Sequence, residues 1–285
     1  MDISLQKQKA EELRALHHAS RILVLPNVWD AVSARIVETA GAKAIATSSA
    51  AIAFAYGYPD GEHISRKEML EAVARIARVV SLPVTADMEA GYADSQPEIE
   101  QLVHELIATG AVGLNLEDGI GNPGRLRPLE LQLEKIRMIR ETSHRARVPL
   151  VINARTDVYW SQIDESSARF AEAVRRGRAF REAGADCVFI PGIDERDVIA
   201  ALVKEIGAPI NILASARAPS VPELEKIGVA RLSVGSGTCR AALAVVREVA
   251  QELLTKGTYN AMLRNPLPSA EVNQMLQGKM SLISG

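Results

Sequence analysis

Two carboxylates, Asp87 and Glu89, stand two residues apart where an apolar run gives way to a glycine, in Pro83-Val84-Thr85-Ala86-Asp87-Met88-Glu89-Ala90-Gly91-Tyr92. Successive strand residues alternate faces, so this spacing predicts both side chains on one side, where unpaired carboxylates repel unless a cation or proton lies between them. That is the pattern of a divalent-metal site. Two further apolar runs end the same way, Gly113-Leu114-Asn115-Leu116-Glu117-Asp118 and Leu150-Val151-Ile152-Asn153-Ala154-Arg155-Thr156-Asp157. Asp87, Glu89 and Glu117 make an all-oxygen donor set that suits Mg2+ or Mn2+ rather than zinc, with one direct carboxylate and the others acting through water. The open positions would then accept a bidentate substrate such as a 2-oxo carboxylate. The plainer alternative pairs the same acids with Arg155 or a lysine as salt bridges.

Arg155 closes an apolar strand, where an unpaired guanidinium is costly and a bidentate contact to a substrate carboxylate is favourable. Asn153 belongs to the same strand end. Thr47-Ser48-Ser49-Ala50-Ala51 offers hydroxyls and small residues that let backbone N–H groups approach an oxyanion, although small residues also simply pack tightly. Asp60, in the turn-rich Tyr56-Gly57-Tyr58-Pro59-Asp60-Gly61, is either a turn-capping residue or an acid over the site. The segment 119–128, with Gly119, Gly121 and Gly124 and the arginines Arg125 and Arg127, reads as a lid that would add positive charge over an anionic substrate, or as an ordinary surface loop.

These residues need elements to position them, and the chain alternates short β-rich runs with longer helical patterns. Strands are predicted at 22–26, 44–48, 84–87, 113–117, 150–155, 187–191, 210–214 and 231–235. A leading helix is predicted near 5–19, and others at 31–40, 66–80, 97–109, 131–142, 166–183, 195–206, 221–227 and 238–256. Gly41, Gly110, Gly184, Gly207 and Gly228 follow helical patterns, as left-handed C-caps require. Repeated βαβ units demand parallel strands, and eight of them close into a (β/α)8 TIM-type barrel, although a doubly wound sheet shares the local grammar. The acids, hydroxyls and Arg155 all fall at C-terminal strand ends, where barrel enzymes place their chemistry. The expectation is one barrel domain over 1–285, with 236–285 as a C-terminal helical extension that forms oligomers.

The 285 residues are 47% hydrophobic, with a formal net charge of -2 from interspersed acids and bases. That balance implies no basic surface for nucleic acid or anionic lipid. Arg175-Arg176-Gly177-Arg178 reads as a solvated helix face beside Glu172 and Glu182. The polar start and the lack of a long apolar window imply neither a secretory signal nor a bilayer span, hence a cytoplasmic protein. Cys187 and Cys239 are isolated and read as buried reduced thiols.

Taken together, Leu25-Pro26-Asn27-Val28-Trp29-Asp30-Ala31, Ala86-Asp87-Met88-Glu89-Ala90-Gly91-Tyr92, Leu116-Glu117-Asp118 and Asn153-Ala154-Arg155-Thr156-Asp157 resemble the isocitrate lyase/phosphoenolpyruvate mutase superfamily across nearly the whole chain. The resemblance implies a barrel with a helix exchanged between subunits of a homodimer or homotetramer, and Mg2+-dependent bond making or breaking beside a 2-oxo acid carboxylate through an enolate. By position, it implies Asp87 as direct metal ligand, Glu89 and Glu117 acting through water, and Arg155 on the substrate carboxylate. It further implies Ser48 and Ser49 around substrate oxygens and Asp60 at the reacting portion. Isocitrate and methylisocitrate lyases carry a lid cysteine, whereas this lid has Gly124, Arg125 and Leu126 and no thiol. The phosphonate-handling branch carries a lid lysine, and this shorter loop has Asn122 without it.

The resulting expectation is a Mg2+-dependent carbon–carbon lyase for a small 2-oxo or 2-hydroxy dicarboxylic acid, with oxaloacetate-type decarboxylation or methylisocitrate-type cleavage as examples. Carbon dioxide departs unprotonated, so decarboxylation needs no lid acid. The alternatives are phosphonopyruvate-type carbon–phosphorus chemistry and a non-catalytic 2-oxo acid binding protein.

Overall fold

The computed structural model describes residues 2–121, 125–160 and 166–283. Helix α1 (Ile3–Leu16) comes first, followed by β1 (Leu23–Leu25), α2 (Ala31–Thr39), β2 (Ile45–Ala46), α3 (Ser49–Ala55), α4 (Arg66–Val79) and β3 (Val84–Asp87). Next are α5 (Gln96–Thr109), β4 (Gly113–Glu117), a hairpin of β5 (Gly119–Ile120) and β6 (Arg125–Leu126), α6 (Leu129–Arg145) and β7 (Val151–Arg155). The chain continues through α7 (Ser166–Glu182), β8 (Cys187–Ile190), α8 (Arg196–Ile206), β9 (Ile210–Leu213), α9 (Val221–Lys226) and β10 (Arg231–Ser233). It ends in α10 (Gly237–Lys256), α11 (Asn260–Leu263) and α12 (Ser269–Ile283).

Eight strands pair in parallel in the order β1-β10-β9-β8-β7-β4-β3-β2. A parallel bridge between Val28 and Thr47 joins the two ends, with Val28 N–H donating to Ala46 O at 2.9 Å and Ser48 N–H to Val28 O at 3.0 Å. The sheet is thereby wrapped into a nearly closed TIM-type barrel, as the strand grammar predicts. All eight predicted strands are present. The β5–β6 hairpin and α3 were not predicted, because two-residue strands and a seven-residue alanine-rich helix leave too little periodicity to read.

Local chemistry accounts for the helix starts and stops. Ser65 with Glu68, Ser95 with Glu98 and Ser220 with Glu223 form capping boxes in which each side chain meets the other residue's backbone N–H. The five predicted C-cap glycines all have positive φ.

Helix α1 seals the N-terminal end of the barrel. Its buried Leu13 packs beneath β4, and Gln6 Nε2 donates to the carbonyls of Ile107 and Ala111 at 2.6 and 3.2 Å. Arg14 donates to Asp186 at 2.7 Å and to the Pro149 carbonyl at 2.9 Å, while Arg140 reaches the same carboxylate and the carbonyls of Leu150 and Gly184. These arginines border a surface cavity of about 900 Å3 under α1, yet their donors are spent on holding the floor together. Both cysteines are buried, and burial pushes the Cys187 thiol up to about 12.

The basic run on α7 is not uniformly solvated. Arg175 and Arg178 are exposed and pair with Glu172 and Glu205, but Arg176 is buried and donates to Asp118 at 2.9 Å. Charge spacing alone does not reveal which of three neighbouring arginines faces inward; the helix phase against β4 does. Among the described residues, no helix is long and apolar enough to cross a membrane.

Because Leu13 fills the space under the barrel floor, Leu13→Ala should cost about 3 kcal/mol of unfolding free energy in urea titration. A loss below about 1 kcal/mol would show that α1 is not part of the barrel's core.

Candidate active site

The inward faces of β3, β4 and β7 carry Thr85 and Asp87, then Gly113, Asn115 and Glu117, then Val151, Asn153 and Arg155. Registry places Asp87 beside Asn115, Asn115 beside Asn153, and Glu117 beside Arg155. Strand alternation plus parallel pairing is therefore enough to collect these side chains inside the C-terminal mouth.

Asp87 is held from three sides. Its Oδ2 accepts from Ser49 N–H at 3.0 Å and from Ser49 Oγ at 2.8 Å, its Oδ1 accepts from Asn115 Nδ2 at 3.2 Å, and its own N–H donates to Thr47 Oγ1 at 2.8 Å. Thr47 and Ser49, expected at the substrate, also hold Asp87: Ser49 fixes its carboxylate, and Thr47, fully buried beneath it, fixes its backbone N–H. Ser48 is the N-cap of α3, its Oγ accepting from Ala51 N–H at 3.3 Å, which leaves its O–H as a donor. Asn153 is fully buried and donates to Asn115 Oδ1 at 2.8 Å, one layer below the mouth.

Glu89 arrives by a different geometry from the expected one. β3 ends at Asp87, and Glu89 lies in a turn with φ 50°, so the two-residue strand alternation does not bring the acids together. Its Oε1 accepts from Tyr92 O–H at 2.9 Å and its Oε2 from Glu62 N–H, while Tyr92 N–H donates to Glu62 Oε1 at 2.9 Å. Glu62, Glu89 and Tyr92 all have left-handed backbones, at 57°, 50° and 51°. Three non-glycine residues with left-handed backbones are thus interlocked in one place, the kind of local strain that persists only where the surroundings fix it. Burial, then the Asp87 charge, push the Glu89 carboxyl up to about 7.

Arg155 is the base that pairs directly with acids at the mouth, while Arg231, deeper in the barrel, also feels the Asp87 charge. Arg155 Nε and Nη2 donate to the two oxygens of Asp157 at 2.6 and 2.9 Å, its Nη1 pairs with Glu117, and its guanidinium carbon lies 4.6 Å from the Trp160 ring centroid and 5.8 Å from that of Phe189. Five N–H donors are present and three are used, so one on each terminal nitrogen remains for a ligand carboxylate. Gly119 permits this arrangement, because a β-carbon there would meet Asp157 Oδ2 at 2.4 Å. Burial holds the Glu117 carboxyl well above its ordinary range, with Arg155 opposing and Asp157, Asp87 and Glu89 reinforcing the shift. Asp60 is on a solvent-exposed loop, yet the protein around it and then Asp87 raise its carboxyl too.

Five carboxyl groups, those of Asp60, Asp87, Glu89, Glu117 and Asp157, thus crowd the mouth, and Arg155 pairs with only two of them, Glu117 and Asp157. Among the described residues, no three His, Cys, Asp or Glu side chains converge into a ready-made metal cage. The donor set nevertheless fits a hard cation held by one direct carboxylate and water, since magnesium retains several waters and the excess negative charge favours it. Asp118 turns away from the mouth, accepting from Asp157 N–H at 3.0 Å and from Arg176, and burial raises it to about 6. Of the lid, Asn122, Pro123 and Gly124 lie outside the described residues. Arg127 does not supply positive charge over the mouth as expected; it pairs with Asp94 at 2.8 Å.

Residue types did not disclose Asp157 as the brace of Arg155, Trp160 as its stacking surface, or Tyr92 and Glu62 as the clasp on Glu89. The Asp157 signal was present two residues beyond Arg155; the others depend on loops meeting in space.

An eight-stranded parallel barrel with ionisable groups gathered at its C-terminal mouth is the arrangement of an α/β-barrel enzyme. The phosphoenolpyruvate phosphomutase family profile matches residues 13–254, and the chain belongs to this family, within the isocitrate lyase/PEP mutase superfamily of lyases and mutases. It is 28% identical to the phosphonopyruvate hydrolase of Variovorax sp., covering 95% of each chain. It is 27% identical to the oxaloacetate decarboxylase of Paraburkholderia xenovorans over 93% of this chain and 87% of that one. The structure of oxaloacetate acetylhydrolase in complex with the product oxalate matches with a TM-score of 0.85, 26% identity and 97% coverage of both chains.

The raised Glu89 carboxyl makes a signed prediction. A carboxyl whose pKa rises on folding favours the protonated native form, so its contribution to stability falls as pH climbs from about 4.5 to about 7 and stays lost above that. In EDTA, Glu89→Gln should therefore gain Tm relative to wild type between pH 5 and pH 8. Parallel pH curves for the two proteins would contradict it.

Proposed function

We propose that this enzyme is a Mg2+- or Mn2+-dependent lyase that cleaves a carbon–carbon bond beside the 2-oxo group of a small dicarboxylic acid, with oxaloacetate decarboxylation as the leading case. The observation that carries this reading is the set of five carboxyl groups around Arg155, which calls for a cation at the mouth and an anion on the remaining guanidinium N–H groups. Bound there, the cation would supply Lewis acidity to the two chelating oxygens of a 2-oxo acid.

The chain's own groups divide the remaining work. Asp87, immobilised by Ser49 and Asn115, would be the direct ligand, with Glu89 and Glu117 holding the ion's waters. Arg155, pre-oriented by Asp157 and stacked on Trp160, would grip the substrate carboxylate, and Ser48 O–H would donate to a substrate oxygen. Asp60, on the loop that Glu62 ties to Glu89, would meet the group that leaves. Decarboxylation suits a site without a lid thiol, because the departing carbon dioxide takes no proton. The relatives named for oxaloacetate chemistry support this choice. The Variovorax relative, matching over 95% of both chains, favours phosphonopyruvate cleavage as the second reading.

We further propose a homodimer or homotetramer with exchanged C-terminal helices. Cys239 is the single buried residue of α10, and Leu243, Val246 and Leu254, which fall within about 80° of one another around the helix, are 49, 63 and 87% exposed, an apolar face that water alone would not favour. Val246→Glu with Leu254→Glu should lower the mass found by light scattering; an unchanged mass would remove α10 from the interface.

Oxaloacetate, phosphonopyruvate and methylisocitrate should be compared with Mg2+ and then EDTA, against the protein-free background. Oxaloacetate loss above background, abolished by EDTA and reduced on the order of a hundredfold or more by Asp87→Ala with an intact circular dichroism spectrum, is expected. Phosphate release from phosphonopyruvate without oxaloacetate loss would transfer the assignment to the second reading, and full activity of Asp87→Ala would remove the metal role of that residue.

A further inference from the structure

Arg231 begins β10 and is fully buried inside the barrel, one of the largest side chains with no exposed surface. Its guanidinium makes one protein hydrogen bond, from Nη2 to Asn115 Oδ1 at 3.2 Å, and among the described residues its Nε and Nη1 have no protein partner. Arg14 and Arg140, by contrast, are spent on carbonyls and on Asp186. An arginine buried merely to knit the barrel together would be used as they are. Arg231 instead meets the one amide that touches Asp87.

That amide can point either way. Asn115 donates from Nδ2 to Asp87 Oδ1 at 3.2 Å, while its Oδ1 accepts from Asn153 Nδ2 at 2.8 Å and from Arg231. Asn153 cannot enforce this choice, because its own Oδ1 has no partner and the two amides could reverse together, turning Asn115 Oδ1 against the Asp87 carboxylate. An arginine has donors only. It therefore obliges Asn115 to present oxygen to the barrel interior, reinforcing the preference of the acceptor-only Asp87 carboxylate for the amide nitrogen.

We propose that Arg231 is a positioning residue for the cation site: from inside the barrel it sets the polarity of the Asn115 amide, and Asn115 in turn holds Asp87 in its ligating orientation. The proposal rests on the metal reading of Asp87 and extends it to a residue whose hydrogen bond stops at Asn115, although its charge is felt at Asp87. Loss of an outer partner of a metal ligand typically weakens the metal roughly 10–100-fold.

The test is Mn2+ affinity without substrate, read by electron paramagnetic resonance of the unbound ion, alongside Tm. Arg231→Met should weaken Mn2+ about 10–100-fold. Arg231→Lys, which keeps a donor-only head, should restore affinity to within about threefold. Asn115→Ala should match Arg231→Met, and the double variant should be no weaker than Asn115→Ala alone, since the two act in series. Wild-type protein that binds no Mn2+ would sink the metal reading and this proposal with it. Wild-type binding with an unchanged Arg231→Met affinity, whatever its Tm, would overturn the proposal alone. If Arg231→Met does not fold, Asn115→Ala decides, and unchanged affinity there overturns it.

Discussion

An excess of carboxyl groups around one guanidinium governs the mouth of this barrel. Asp60, Asp87, Glu89 and Asp157 lie close enough that their charges help to raise the carboxyls of Asp60, Glu89 and Glu117, and Arg155 opposes the shift at Asp60 and Glu117. Buried like charges are tolerated only where hydrogen bonds, protons or cations offset the lost hydration. The four acids other than the exposed Asp60 each have a compensation. Ser49 and Asn115 serve Asp87, Tyr92 and the Glu62 N–H serve Glu89, and Arg155 joins Glu117 to Asp157.

The surrounding structure can be understood as support for that arrangement. Gly119 lets the chain pass over Asp157, and the Asp157 N–H is tied to Asp118, which is itself neutralised by the buried Arg176 from α7. A chain of contacts thus runs from the outer helix to the guanidinium at the mouth. On the opposite side the left-handed residues Glu62, Glu89 and Tyr92 clasp two loops together, and the strain of each is offset by the hydrogen bond it makes. Below, α1 with its Arg14, joined by Arg140 of α6, closes the barrel floor, so the acids are mounted on a rigid cylinder rather than on loops alone.

Much of this was legible in one dimension. Short β-rich runs, capping boxes and C-cap glycines encode the alternation of strand and helix, because each depends on neighbours within about four residues. The placing of Asp87, Glu117 and Arg155 at strand ends followed from the same local patterns. Arg155 as the central base was readable as well, since a guanidinium ending an apolar strand requires a partner. Where expectation and structure parted, the deciding contact was distant. Glu89 was assigned to the face of Asp87 by strand alternation, but the strand stops at Asp87 and a left-handed turn redirects it. Thr47 and Ser49 read as substrate contacts because their hydroxyls lie at a strand end, and only the fold shows that they also bond to Asp87, some 40 residues on. Arg176 read as solvated because charge spacing does not report helix phase.

The sequence by itself determined the parallel barrel, the end of it that carries the chemistry, and the acid-and-arginine character of that end, all consequences of periodicity and of residue type at strand termini. Only the tertiary structure decided which acid meets which donor, that Asp157 braces Arg155, and that Arg231 reaches Asn115 from 116 residues away. The reason is physical: hydrogen bonds are directional over about 3 Å, and barrel registry, set by the packing of all eight strands at once, selects the pairs brought within that distance.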